Sequence, residues 1–141
     1  MKLVVASDER TKLTDFVLEY LRSSGHQLVI LGAIGDSLSD KWVEIGKETA
    51  QMVAEGKVDM GVLFCWSGTG ITMAANRIRG ARAALCWSPE IARLSRKWDG
   101  ANIICMALVN TKEEIAKEMI DIFFEAKFNE EGLNEAHKLD E

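Results

Sequence analysis

The stretch from Met60 to Asn76, MGVLFCWSGTGITMAAN, constrains the fold more than any other part of the chain. Met60 to Phe64 is an unbroken apolar run of strand length. A strand without polar alternation is covered on both faces, as strands are in parallel sheets flanked by helices. Cys65 stands at its carboxyl end. Ser67, Gly68, Thr69 and Gly70 form a glycine-rich turn, and Ile71 to Asn76 reads as helix. Strand, thiol, amide-lined loop and helix N-terminus thus meet at one point, where ligands bind in open parallel sheets.

The remaining chain alternates strand and helix patterns in the same way. Lys2–Ser7 is a first strand, and Lys12–Ser24 an amphipathic helix with Leu13, Phe16, Val17, Tyr20 and Leu21 on one face and Gly25 as its stop. Gln27–Leu31 is a second strand, and Gly32–Asp40 a loop. A helix over Trp42–Glu55 follows, with Ser39 or Asp40 as N-cap and Gly56 after its last turn. Ala83–Cys86 is a fourth strand, and Ser88-Pro89-Glu90 starts a helix ending near Trp98. Asn102–Met106 is a fifth strand, and Thr111 with Glu114 reads as a capping box opening a helix to Lys127. The polar, acidic segment Phe128–Glu141 is expected to pack on a partner subunit. This order predicts one domain over residues 1–141, a three-layer α/β/α sandwich with a five-stranded parallel, Rossmann-like sheet.

A chain of 141 residues with 48% hydrophobic residues and a single proline can bury one core, a composition that argues against disorder and against a long flexible linker. A formal charge of −5 disfavours nucleic acid, which needs a concentrated positive surface; the arginines between Arg77 and Arg96 are the only local exception. No apolar run approaches the roughly 20 residues that span a bilayer, and the N-terminus enters a strand directly, so a cytoplasmic protein without membrane contact is expected. Cys65, Cys86 and Cys105 are odd in number and far apart, which argues against a disulfide framework or a structural zinc site.

At the central point, loop amides and the helix dipole favour an anion or a developing oxyanion. Cys65 shares that field, which suits a thiol acting as nucleophile or as proton-transferring base. The competing reading makes Cys65 a small core residue and the glycines a tight turn. In a parallel sheet Asp8, Glu9 and Arg10 after the first strand, and Trp87 and Ser88 after the fourth, come to the same edge.

These residues resemble the family containing type B ribose-5-phosphate isomerase and the galactose-6-phosphate isomerase subunits. The resemblance runs from Met1 to about Lys127. It is carried by Cys65-Trp66-Ser67-Gly68-Thr69-Gly70, Ala74-Ala75-Asn76, Gly80-Ala81-Arg82-Ala83, and Ala92-Arg93-Leu94-Ser95-Arg96 followed by Ala101-Asn102. It implies an aldose–ketose isomerase working on a phosphorylated sugar through an enediolate, without metal or organic cofactor. Cys65 would move the proton, the amides of Ser67, Gly68, Thr69 and Gly70 would form the anion hole, and Asp8 would hold substrate hydroxyls. Asn76 belongs to the same motif. The resemblance further implies a sheet of order 2-1-3-5-4 and a homodimer or homotetramer with sites at subunit interfaces.

The chain also departs from that family. Asp-His after the first strand is replaced by Asp8-Glu9, and the histidine that helps open the sugar ring is replaced by Trp98, with Asp99 beside it. Ser67 keeps the hydroxyl that is threonine in the ribose enzyme. In place of C-terminal arginines for phosphate, Asn129–Glu141 offers only His137 and Lys138, leaving Arg10, Arg77, Arg79 and Arg93 as candidate phosphate partners. Glu9 reads either as a second acid–base group or as a helix-start charge. Trp66, Trp87 and Trp98 either wall a small pocket or pack between subunits. Without the ring-opening histidine, a short open-chain sugar phosphate such as a tetrose 4-phosphate is the expected substrate. A non-catalytic sugar-phosphate or small-anion binding protein is the alternative from another class.

Overall fold

The computed structural model describes residues 1–37 and 39–141. Strands β1 (Lys2–Ser7), β2 (Gln27–Gly32), β3 (Met60–Cys65), β4 (Ala83–Leu85) and β5 (Ile103–Ala107) form one parallel sheet of order β2-β1-β3-β5-β4. Helices α1 (Lys12–Ser23), α2 (Trp42–Ala54), α3 (Thr69–Ala75), α4 (Pro89–Asp99) and α5 (Glu113–Glu125) join them, and α6 (Glu130–Ala136) follows. The α/β/α architecture and the strand order match the expectation from the sequence.

Successive strand residues point to opposite faces, and both faces are filled. Leu3, Val5, Val62 and Phe64 meet Val17 and Leu21 of α1 and Met119, Ile120 and Phe123 of α5. Val4, Ala6, Leu63 and Cys65 meet Ile45 and Val53 of α2 and Ile71 and Ala75 of α3. Helices α2 and α3 approach unusually closely, because a Cβ on Gly46 would lie 2.8 Å from the Ala74 Cβ and 3.1 Å from the Ile71 carbonyl oxygen. Among the described residues no helix is long and apolar enough to cross a membrane.

Helix ends follow the sequence signals in part. Ser88 caps α4, its hydroxyl accepting the Ile91 amide at 3.3 Å, and Gly100 ends the helix in the left-handed region. Two expected caps are not formed. Helix α5 starts after Lys112, whose extended backbone puts Glu114 at the second helical position, so no Thr111–Glu114 box can close. Likewise α2 starts after Lys41 without a side-chain cap; Ser39 lies two residues too early and instead accepts the Lys41 amide at 3.1 Å and bonds Glu44. Thr11 and Thr14 form a reciprocal box at α1 instead.

Residues 128–141, read from sequence as a segment for a partner, fold onto their own chain. Asn129 caps α6 by accepting the Gly132 amide at 2.9 Å, and a 3₁₀ turn runs from His137 to Asp140. A Cβ on Gly132 would lie 2.5 Å from the Trp98 carbonyl oxygen, so the glycine lets α6 lie directly on α4. Asp140 accepts the Gly80 amide at 2.8 Å and pairs with Arg82 at 3.2 Å. Composition concealed this contact: the face of α6 toward α4 is made of Gly132, Leu133 and Ala136, too few apolar atoms to stand out among the charges.

Arg96 ties this corner together. Its buried guanidinium lies 5.2 Å from the Phe123 ring centre and 4.3 Å from that of Phe128, and Nη1 donates to the Ala101 carbonyl at 2.6 Å. Burial, with a smaller contribution from Arg82, lowers its pKa to about 10.

Candidate active site

The sheet register brings the first candidates together. Ser7 pairs with Phe64, so the next residues, Asp8 and Cys65, leave adjacent strands side by side at the carboxyl edge. Cys65 is 5% exposed and packs against the α2–α3 side of the sheet. Its carbonyl accepts the Leu108 amide and that of Trp66 accepts the Val109 amide, each at 3.0 Å, so the chain leaving β5 clamps the end of β3. Burial pushes the Cys86 thiol up to about 11 and the Cys105 thiol up to about 12, holding both protonated at neutral pH. Cys65 is the thiol that adjoins the loop.

That loop requires its first glycine. Gly68 is left-handed, with φ of 75°, and a Cβ there would come within 2.5 Å of the Leu85 side chain and 3.0 Å of the Met106 backbone. The turn lies flat over the ends of β4 and β5 as a result. The hydroxyls of Ser67 and Thr69 hydrogen-bond at 2.6 Å, and the Thr72 hydroxyl donates to the Gly68 carbonyl at 2.6 Å. The N-cap, Gly68, has no side chain, and the Ser67 hydroxyl accepts the Thr69 amide at 3.4 Å, which leaves the first-turn amides of Gly70 and Ile71 to be met from outside the helix.

Asp8 is half-buried, and its carboxyl is raised above the usual range by burial first, then by the neighbouring Glu9 and, more weakly, Asp40. Glu9 is exposed; its carbonyl accepts the Ser7 hydroxyl at 2.6 Å, which shapes the turn after β1. Arg10, a candidate for phosphate, pairs with Asp15 at 3.0 Å along α1 and is thereby drawn to that helix. Trp66 and Trp87 are 58% and 68% exposed beside the site, on the carboxyl edge.

The structure does not bring Asn76, Trp98 and Asp99 to Cys65. Each helix runs back antiparallel to its strand, so residues ending α3 and α4 lie at the amino edge of the sheet, the opposite rim from the loop. Asn76 spends its carboxamide on β4, donating to the Ala83 carbonyl and accepting the Ala83 amide, both at 2.8 Å. Asn76 and Asp99 line a cavity of about 460 Å³ together with Arg77, Arg79, Arg82 and Asp140. The Trp98 backbone lies under Gly132.

Sequence reasoning missed Trp42. Three carbons of its indole would lie 3.0, 3.1 and 3.3 Å from a Cβ on Gly70, so the ring rests against the second residue of α3. The available signal was topological: Trp42 is the first residue of a helix that follows a carboxyl-edge loop. Asp40 comes to the same edge for the same reason, close enough to act on Asp8.

The sequence profile of the ribose/galactose isomerase family matches residues 3–141. The galactose-6-phosphate isomerase subunit LacB of Clostridium acetobutylicum is 36% identical over 112 residues, a match spanning 79% of this chain and 64% of that subunit's length. The D-erythrulose-4-phosphate isomerase of Pectobacterium atrosepticum is 27% identical over 128 residues, spanning 91% of this chain and 83% of that protein. The structure of ribose-5-phosphate isomerase B from Clostridium thermocellum superposes with a TM-score of 0.90 at 27% identity, covering 99% of this chain and 95% of that one.

Proposed function

Because the chain belongs to the ribose/galactose isomerase family, we propose that it interconverts an aldose phosphate and the matching ketose phosphate through an enediolate. The observation that carries this reading is the meeting of Cys65, Asp8 and the uncapped first turn of α3 at the carboxyl edge. Cys65, as thiolate, removes the proton on the carbon next to the carbonyl and returns it to the former carbonyl carbon. Negative charge gathers meanwhile on the substrate oxygen, where the amides of the 67–70 loop stabilise it. Asp8, a carboxylate at the end of the adjacent strand, holds the substrate hydroxyls and relays the proton from one of the two substrate oxygens to the other. Glu9 stands next to it as a second carboxylate, and Ser67 contributes a hydroxyl. Protons alone move, so the scheme needs no metal or organic cofactor.

Trp98 and Asp99 reach such a site from a second copy of the chain, since within one chain they lie on the opposite rim. The assembly we propose is a homodimer or a pair of dimers, working in the cytoplasm. For the substrate we propose a short open-chain sugar phosphate. Trp98 cannot exchange a proton to open a ring, and a tetrose 4-phosphate lacks the free hydroxyl that would close a five-membered one. The existence of a relative acting on D-erythrulose 4-phosphate supports this choice.

The test is interconversion of tetrose 4-phosphates, ribose 5-phosphate and galactose 6-phosphate on one preparation. The tetrose pair should have the highest kcat/KM. A clear preference for ribose 5-phosphate or a hexose 6-phosphate would overturn the substrate proposal. Binding without interconversion of any sugar would assign the chain as a sugar-phosphate or small-anion binding protein.

A further inference from the structure

Gly70 has no backbone need to be glycine. It lies in the first turn of α3 and is absent from the glycines with positive φ, so an alanine there would find an acceptable conformation. What opposes a side chain is Trp42: the three atoms nearest the position of a Cβ all belong to its indole, at 3.0, 3.1 and 3.3 Å. Trp42 opens α2, whose Gly46 allows α2 and α3 to touch. On the other side the loop is stopped by Leu85 and the backbone of Met106 and Ala107 beneath Gly68. The turn is thus gripped between the ends of β4 and β5 and the ring of Trp42, a residue that remains 41% exposed.

From this geometry we infer that Trp42 is a positioning residue for the anion loop, acting through Gly70 to fix the direction in which the first-turn amides of α3 point. The inference rests on the reading of that loop as the site where the enediolate oxygen is stabilised. Preorganised donors act on a transition state only if they cannot turn away, and the N-cap of α3, Gly68, has no side chain to hold the Gly70 and Ile71 amides. The Trp42 ring takes that part from outside the helix. A misplacement of about 1 Å in such a site costs up to about a hundredfold in rate, so a loosened loop is expected to be visible in function before it is visible in stability.

Two probes separate this role from helix packing and from turnover: a three-carbon aldonohydroxamate phosphate, whose nitrogen takes the place of the first carbon so that it mimics the tetrose enediolate, and a four-carbon alditol phosphate, which does not. Wild-type protein should prefer the hydroxamate, and Trp42→Ala should cut that preference by about tenfold while leaving alditol phosphate affinity nearly unchanged. Trp42→Phe should retain most of it. Gly70→Ala should weaken the preference in the wild-type background and do little more in Trp42→Ala, where the added methyl group has room. If Trp42→Ala does not fold, Gly70→Ala alone carries the same readout, since it displaces the same ring. A preference left intact by both substitutions would overturn the positioning role. Equal binding of the two probes by wild-type protein would overturn the anion-loop reading beneath it.

Discussion

At the scale of single residues the site is decided by what each side chain is free to do. Cys65 has its place through β3 and the loop, and removing its sulfur deletes the proposed base without deleting a large side chain. Cys65→Ala should therefore reduce turnover by about a thousandfold or more while circular dichroism and alditol phosphate binding stay near wild type. Substantial activity in the folded variant would move the base to Glu9. Asp8 makes a prediction with a definite sign. Its carboxyl is raised in the folded protein, so the fold binds that proton more tightly than the unfolded chain does, and ionising Asp8 costs stability. The cost is absent in acid and sets in as pH rises through and above the usual carboxylate range. Asp8→Asn, which cannot ionise, should melt higher than wild type at neutral pH, with the gain shrinking as pH is lowered toward about 3. A Tm difference that is constant with pH would assign the effect to something other than ionisation.

At the scale of elements, the corner where α4, α5 and α6 meet depends on a buried charge that pairs with no carboxylate among the described residues. Arg96 stacks on Phe123 and Phe128 and holds the Ala101 carbonyl, joining the end of α4 to the start of α6 and to the segment before β5. Lysine keeps the charge but offers neither the flat face nor the fixed reach of a guanidinium. Arg96→Lys should accordingly destabilise the protein by about 2 kcal/mol in urea or thermal unfolding. Loss should fall first on α6, read as faster amide exchange over residues 130–136 than over the sheet. Uniform exchange across the two would deny Arg96 this local role.

At the scale of the whole molecule, topology splits the family-derived residues between two rims of one sheet. Cys65 and Asp8 leave the carboxyl ends of β3 and β1, whereas Trp98 and Asp99 end a helix that has run back to the amino rim. A site holding all four needs two chains in a closed, two-fold arrangement. Sedimentation equilibrium at micromolar concentration should show at least a dimer. Mixing Cys65→Ala with Asp99→Ala, each impaired alone, should restore activity, since a mixed dimer contains one intact site; random exchange would recover about a quarter of the sites. A monomer, or mixing without recovery, would overturn the shared site.

Alternating apolar runs and helical stripes were enough to predict the strands, the helices that join them and the layered sheet. These signals depend on local periodicity, and both faces of β1 and β3 are as buried as their composition demands. Cys65 and its glycine turn were legible because strand, thiol and Cβ-free residues are contiguous. The caps at α2 and α5 lie a residue or two from where the polar residues suggest, since a helix starts where tertiary packing lets its backbone turn, and several polar residues compete for the cap. Three matters were decided only by tertiary structure. Trp42 meets Gly70, 28 positions along the chain by the numbering, because α2 and α3 are pressed together across Gly46. Asn76 bonds the backbone of β4, because the end of α3 comes back beside Ala83. The last residues return to α4, because Gly132 lets two helix backbones touch. Each depends on distance through space between segments that sequence spacing keeps apart, and no local pattern encodes that distance.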